Sequence, residues 1–375
     1  MRWLSFCVRW SFGPPNALDV WRSSDYGRPV TKRLARRSSQ VASTMALCIA
    51  VVVLTFAWGG CDDNGVSSVV ATDTGVADTS VVVDTADPIG SRRAFAVATY
   101  NVERFFDTQC DSSDCGGSAY EEFPSLSQFE RQADRLAAAM ASLDADVLLL
   151  QEVETQACVD ALTARLGPDF PAAVIGELGW AGSVDVAVIS KWPIARVQRH
   201  ADAPIPHPIN GTTTFAREFL EVELDVEGAA VIVFVAHFKS KFNDDRWRRV
   251  GEATAAREIV SARIADRPDA MVIMGGDLND VPGSLPMDAL VANGVLFRVS
   301  EVLDASDDWT ITFQGRRQAI DHILIPAARR EQLIDGGVSV FHDIDVIGFG
   351  GGYGGSDHGA VRAVIGIDIP GAVPR

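Results

Sequence analysis

From residue 92 onward the chain alternates short apolar runs with stretches in which apolar positions recur every three or four residues. The runs at 95–102, 147–150, 184–190, 271–274, 311–313, 320–325 and 360–365 read as strands. Leu126, Phe129, Ala133, Leu136, Met140 and Leu143 fall at helical spacing and define an amphipathic helix, and 244–265 is helical by composition. Glu227 and Gly228, between strand-like runs at 219–226 and 230–236, signal a hairpin. Mixed strands with few helices, and no long linker between 92 and 375, predict one α/β domain. A two-sheet sandwich fits that mixture better than a wholly parallel, doubly wound sheet.

Ahead of that domain the pattern changes twice. Residues 46–58 form an apolar run too short to span a bilayer comfortably; a basic stretch, Lys32 to Arg37, precedes it, and Gly59, Gly60 and Cys61 follow. That order of basic, apolar and small residues is an export signal. Its ending resembles the lipobox of bacterial lipoproteins, which would make Cys61 the lipidated first residue of the mature protein. An ordinary signal peptide or a hydrophobic anchor is the alternative. Residues 1–60 are therefore an N-terminal extension with an export signal. Residues 61–91, with six Asp and no Lys or Arg, read as a disordered acidic tether.

The net charge of −17 is unevenly spread: 1–60 holds eight Lys or Arg against two acids, leaving 25 bases and 48 acids in 61–375. Such a surface repels a polyanion at long range unless a cation intervenes. Cys110 and Cys115, close together in an exported domain, are expected to pair, and Cys158 to be a buried free thiol. No CxxC or HxxxH spacing is present, which disfavours zinc.

Candidate chemistry gathers at strand ends. The run 271–274 breaks at Gly275 and Gly276, and Asp277 and Asn279 follow two apart, on one side of an extended segment. A strand-ending turn would use the same residue types. The pattern recurs at Asn101, at Gln151 and Glu152, at His237 to Lys239 and at Ser356 to His358. Asp321 is different: it lies inside an apolar run, where a carboxylate needs a partner or a polar cleft. Each alone has a structural explanation, a turn for Asn101, a helix start for Glu152, a satisfied core histidine for His237. Together they point to one cleft, because such sheets bring strand ends into a shared crevice. Carboxylates and amide oxygens without thiolates suit a hard cation, Mg2+ or Mn2+. Beside imidazoles, such an ion is equipment for phosphoester hydrolysis.

Six segments in order, Asn101-Val102-Glu103, Gln151-Glu152-Val153-Glu154, His237-Phe238-Lys239-Ser240-Lys241, Gly276-Asp277-Leu278-Asn279-Asp280, Ile320-Asp321-His322 and Ser356-Asp357-His358, resemble the motifs of the endonuclease/exonuclease/phosphatase superfamily. The resemblance spans about 95–366 and looks most like secreted bacterial nucleases. It implies an α/β fold of four layers, two central mixed sheets flanked by helices. It implies that Glu152 binds the metal, with Asn101 beside it and Asp357 helping or holding a second ion. His358, paired with Asp321, would act as a base toward water or stabilise the phosphorane. Asp277 would orient the nucleophile or handle the leaving-group proton, and Asn279 would hold a phosphate oxygen. His237 is a candidate acid, and Arg217 and Lys239 would face the substrate. Gly359 stands where many members carry a bulkier residue, which bears on how firmly His358 is held.

The function so implied is an exported, lipid-anchored, metal-dependent phosphodiesterase of the bacterial cell envelope, a monomeric nuclease acting on DNA or RNA. A sphingomyelinase-like or inositol-phosphate phosphoesterase is the enzymatic alternative. A catalytically decayed surface binding protein is the alternative of another class, and the presence of every motif residue argues against it.

Overall fold

The computed structural model describes residues 92–342 and 352–371, which fall in one compact unit, 86–375. The export signal, Cys61 and the tether lie outside the described residues, as do 348–351 of the glycine-rich loop before Ser356.

β1 (Arg92–Phe105) leads to helix α1 (Leu126–Ser142), β2 (Val147–Val153), α2 (Gln156–Leu166), β3 (Ala172–Gly176) and β4 (Asp185–Ser190). β5 (Ile194–Arg199), a small hairpin of β6 (Ile205–His207) and β7 (Gly211–Thr213), then β8 (Leu220–Val226) and β9 (Ala229–His237) follow. Next come α3 (Arg246–Asp266), β10 (Met271–Asp277), the short α4 (Leu285–Leu290) and β11 (Leu296–Arg298). A second hairpin, β12 (Ile311–Phe313) and β13 (Arg316–Gln318), precedes β14 (Asp321–Pro326), β15 (Ser339–Phe341) and β16 (Ala360–Asp368). The first sheet has the order β15-β16-β1-β2-β4-β3 and the second β11-β14-β10-β9-β8-β5. β1 pairs in parallel with β2 across α1, and β9 with β10 across α3, as a helical crossover allows. The other pairings within the two sheets are antiparallel, so both sheets are mixed.

Alternation sorts the side chains into layers. On β1, Phe95 and Val97 enter the space between the sheets, while Ala98, Tyr100 and Val102 pack with Phe129, Leu136, Val159 and Leu162 of α1 and α2. On β9, Val231, Val233 and Val235 face the other sheet, and Ile232 and Phe234 meet Ala253, Ala256 and Val260 of α3. Three buried clusters result, one between the sheets and one under each pair of helices. That is the expected four-layer α/β sandwich.

The amphipathic stripe of α1 is buried from Phe129 to Leu143, but Leu126, in its first turn, overhangs into solvent. Glu227 (φ 54°) and Gly228 (φ 88°) form the tight turn between β8 and β9. The four sheet strands absent from the hydrophobic pattern, β3, β5, β11 and β15, are the edges of the two sheets. They are short or half-covered, so burial demands little of their composition. Cys110 and Cys115 form a disulfide, and Cys158 is buried with its thiol against the Phe105 carbonyl at 3.3 Å. Among the described residues no helix is long and apolar enough to cross a membrane.

Candidate active site

Along five central strands the inward positions run out of apolar residues at the same end of the sandwich. Val97 is followed inward by Thr99 and Asn101, Leu149 by Gln151, Val235 by His237, and Ile273 by Gly275 and Asp277; on the antiparallel β14, Asp321 precedes Ile323. Register aligns them, Asn101 opposite Gln151 in one sheet, and Asp277 opposite both His237 and Asp321 in the other. The site is thus the polar end of the layer between the sheets.

Glu152 reaches that end by breaking parity. Alternation gives the inward place to Gln151, whose amide donates to the Leu149 carbonyl at 2.9 Å and Thr99 Oγ1 at 3.1 Å. Pairing then slips between Gln151 and Val153, and Glu152 takes a left-handed φ of 67°. This bulge re-aims its carboxylate into the cleft. β1 slips in the same way between Asn101 and Phe105, with Glu103 at φ 53° and Arg104 at φ 49°. The two irregularities lock together, since Arg104 N donates to Glu152 Oε2 at 3.0 Å and Glu103 N to Asn101 Oδ1 at 3.0 Å. Asn101 Nδ2 reaches Glu152 Oε1 at 3.3 Å and, across the cleft, Asp277 Oδ2 at 3.1 Å. Left-handed non-glycine residues cost on the order of 1–3 kcal/mol each and collect at functional sites.

Asp277 and Asn279 also meet, but not through strand alternation. β10 ends at Asp277, and Asn279 turns into a left-handed φ of 55°, so the extended geometry expected from the sequence is not formed. Instead Asn279 N donates to Asp277 Oδ1 at 2.8 Å and Asn279 Nδ2 to the Phe238 carbonyl at 3.1 Å. Gly276 is required there: at φ 153° a Cβ would lie 1.9 Å from the Ala236 oxygen.

His358 and Asp321 join the two sheets, with Nδ1 of the imidazole 2.8 Å from Asp321 Oδ2. Three bonds hold His358 from behind. Its own N–H donates to Ser356 Oγ at 3.0 Å, Ser356 Oγ donates to the Asn101 carbonyl at 2.7 Å, and Gly359 N donates to the Thr310 carbonyl at 2.6 Å. Glycine at 359 is what permits this seat, since a Cβ there would stand 2.8 Å from the Phe341 oxygen. His237 is buried with Nε2 3.6 Å from Asp277 Oδ2 and 3.9 Å from Glu152 Oε1.

Burial and crowding split these groups into distinct protonation states. Burial pushes Asp277 up to about 7, with the Asp321 charge adding to it. Burial opposes charge on His358, but Asp321, Asp277 and Asp357 outweigh it and carry the imidazole well above the usual range. His237 is held well below that range by burial, helped by Arg217 and His358. Near neutrality, therefore, one histidine is charged and the other neutral.

In the cleft, one group brings ligand atoms close enough together to share a cation. Asp277, Asp321 and His358 each place one such atom within 4.8 Å of the others. Glu152, Asn101 and Asp357, the set the resemblance implies, are linked more loosely: Asn101 Nδ2 lies 3.3 Å from Glu152 Oε1, and Asp357 N donates at 2.9 Å to Oε2 of Glu103, a residue the sequence left unassigned although it stands two residues after Asn101. Burial and the Asp357 charge push Glu103 up to about 7, and burial together with Glu152 and Asp321 raises Asp357. Buried carboxylates raised by neighbouring negative charge fit a hard divalent ion, which would offset that charge.

Arg217 lines a hollow beside the cleft. Lys239 turns elsewhere: its ammonium donates to the Ser240 and Phe242 carbonyls of its own loop, at 2.8 and 2.6 Å.

No curated protein sequence matches the chain. Among solved structures, an endonuclease/exonuclease/phosphatase family protein from Bacteroides thetaiotaomicron is similar with a TM-score of 0.51 and 15% identity, over 76% of this chain and 100% of that one. Beta toxin from Staphylococcus aureus gives 0.50 and 20%, over 72% of this chain and 99% of the other. Truncated TDP2 from Caenorhabditis elegans gives 0.50 and 18%, over 72% and 97%. At such identities the likeness is one of fold. Residues 98–358 match the Endonuclease/Exonuclease/phosphatase family, a span that opens on β1 and closes on His358, and the chain belongs to that family.

Proposed function

We propose that the protein is a divalent-metal-dependent phosphodiester hydrolase acting on nucleic acid, exported and held to a membrane by a lipid on Cys61. The observation that carries the catalytic part is the buried His358–Asp321 pair at 2.8 Å, in the same cleft where Asn101 joins Asp277 to Glu152. The carboxylates of Glu152, Asp357 and Glu103 and the amide oxygen of Asn101 offer hard oxygen ligands, which fits Mg2+ or Mn2+; held by them, the ion would offset phosphate charge and stabilise the departing oxygen. The chain's own groups divide the remaining work. Asp277, near 7 and fixed by Asn101 Nδ2 and the Asn279 N–H, takes the proton of the attacking water. His358 uses Nδ1 toward Asp321 and leaves Nε2 to donate to a phosphate oxygen as negative charge builds. Its charged state favours this stabilising role over that of a base. Neutral His237, backing Asp277 and Glu152, adds no positive charge that would hold Asp277 ionised and weakly basic.

The test is hydrolysis of plasmid DNA, RNA, sphingomyelin and inositol phosphates with Mg2+, Mn2+ or EDTA. Nucleic acid cleavage that EDTA abolishes is the expected result. Full activity in excess EDTA would sink the metal, and hydrolysis of sphingomyelin alone would move the substrate to lipid. For the anchor, Cys61→Ser should release the protein from membranes or leave the precursor uncut. Normal cleavage with unchanged membrane association would refute lipidation.

A further inference from the structure

Beside the catalytic cleft lies a hollow of about 460 Å³ whose walls include Tyr120, Trp180, Asp185, Arg217 and Arg248. We propose that this hollow seats one unpaired base of a nucleic acid strand, stacked on Trp180 and Tyr120, with the adjoining phosphate held by Arg217; this rests on the phosphodiester hydrolysis proposed above.

The two rings are exposed, Trp180 by 74% and Tyr120 by 56%, yet both are carried on built loops. Asp185 closes the Trp180 loop, accepting the Ser183 hydroxyl at 2.8 Å and Leu178 N–H at 3.4 Å, while Ser183 N donates to the Trp180 carbonyl at 3.1 Å. Gly182, left-handed at φ 67°, lets that loop lie against the Tyr120 loop, because a Cβ there would stand 2.5 Å from Glu121 Oε2. Glu121 in turn accepts Asp111 N–H at 2.6 Å and Ser112 N–H at 2.8 Å, inside the segment closed by Cys110 and Cys115. A large apolar ring held out of the core by this much local structure marks a surface for a partner.

The hollow communicates with the chemistry. The Arg217 charge is felt both at the Tyr120 hydroxyl, on the wall of the hollow, and at His237, in the cleft. Glu252 accepts both Ala216 N–H, on the wall of the hollow, and Lys239 N–H, two residues beyond His237.

Its shape and lining select the occupant. The volume falls in the range of small-ligand sites, about 300–1,000 Å³, so it admits a nucleoside and not a duplex. A concave wall carrying Asp185 and Arg217 is unlike the convex apolar tip that enters a bilayer. Stacking also suits an acidic protein, since it needs few phosphate contacts. With Arg217 as the single contact, binding should fall with salt at a log–log slope of about −0.7.

The experiment uses the full chain and Trp180→Ala, which alters only an exposed side chain. Substrates are a short single-stranded DNA, the same sequence as a duplex, and an abasic deoxyribose-phosphate oligomer of equal length, all with Mg2+. Removal of one stacking ring should raise KM for the single strand by about 5- to 150-fold. The turnover number and the rate on the abasic oligomer should stay unchanged, and Trp180→Phe should restore most of the affinity. Equal KM on the single strand, or an equal loss on the abasic oligomer, would overturn the proposal. So would loss of binding to sphingomyelin–phosphatidylcholine vesicles with DNA unaffected, which would make Trp180 a lipid contact. Anisotropy of a labelled oligonucleotide in EDTA decides the hollow without catalysis. If no substrate is cleaved, the hydrolase reading fails while this measurement still settles the binding site.

Discussion

Glu252 offers the most direct test of how the site is held. It sits on α3 with no exposed surface, and its two carboxylate oxygens accept Ala216 N–H and Lys239 N–H, each at 2.8 Å. The first amide adjoins Arg217, and the second lies two residues past His237, so one side chain ties two walls of the site. Glu252→Ala strands both donors, at about 1–3 kcal/mol each, so a loss of about 4 kcal/mol is expected. Glu252→Gln keeps one acceptor and turns an amide NH2 against the other donor, so it should cost about half as much. Slack of about 1 Å in positioning groups can cost on the order of 100-fold in rate. Urea unfolding reads the first effect, and kcat/KM on a nucleic acid substrate, measured where both proteins are fully folded, reads the second. The Gln variant should lose about 2 kcal/mol and retain on the order of a hundredth to a tenth of the activity. A change in stability within about 0.5 kcal/mol, the scatter of neutral surface substitutions, together with normal kcat/KM, would refute the reasoning.

Asp321→Asn and His358→Ala should each lower turnover on the order of 100-fold or more, and the double variant little beyond the worse single one; multiplicative losses would break the pair. Mg2+ should raise the melting temperature of the wild type but not of Glu152→Gln, with excess metal partly restoring the variant's activity; an equal rise in both would remove Glu152 from the ligand set. His322 is buried with its Nε2 3.0 Å from the Asp280 carbonyl, and burial lowers it to about 4, below its unfolded value. The unfolded chain therefore binds the extra proton first, and this contribution to stability is lost as pH falls from 6.5 through about 4. Between pH 7 and pH 4.5 the wild type should lose about 2 kcal/mol more than His322→Gln in urea unfolding; parallel curves would show that the imidazole stays uncharged in both states.

The fold was legible wherever a strand is covered on one or both faces, because burial then dictates composition. β1, β2, β9, β10 and β14 declared themselves, and with them Asn101, His237, Asp277 and Asp321, each lying an even step beyond a core residue. Periodicity could not reach Glu152. Its place depends on a bulge and a left-handed backbone, and alternation alone selects Gln151; the polar strand end marked Gln151 and Glu152 together, and the likeness of the Gln-Glu-Val-Glu segment to a known motif is what singled out Glu152 as the metal ligand. Asn279 was found for the wrong geometric reason, since a turn and not an extended strand brings it to Asp277. Glu103 was passed over because a charged residue near a strand end looks like ordinary surface until Asp357, more than 250 positions away, is folded beside it. Lys239 shows the converse: a basic residue in a motif whose charge satisfies its own loop.

The hydrogen bonds His358–Asp321 and Asn101–Asp277 both run from one sheet to the other, so the width of the cleft is gauged by the thickness of the apolar layer beneath it. Gly275 marks how fine that gauge is: Leu149 of the facing sheet fills the place of its missing side chain, and a Cβ there would stand 2.7 Å from Leu149 Cδ1. One methyl group at this point acts as a shim under two contacts of the candidate site at once. Reactivity in such a sandwich can be retuned by substitutions that carry no polar atom. For the same reason, a loosening of the sheets against each other should abolish the proposed activity before either sheet comes apart.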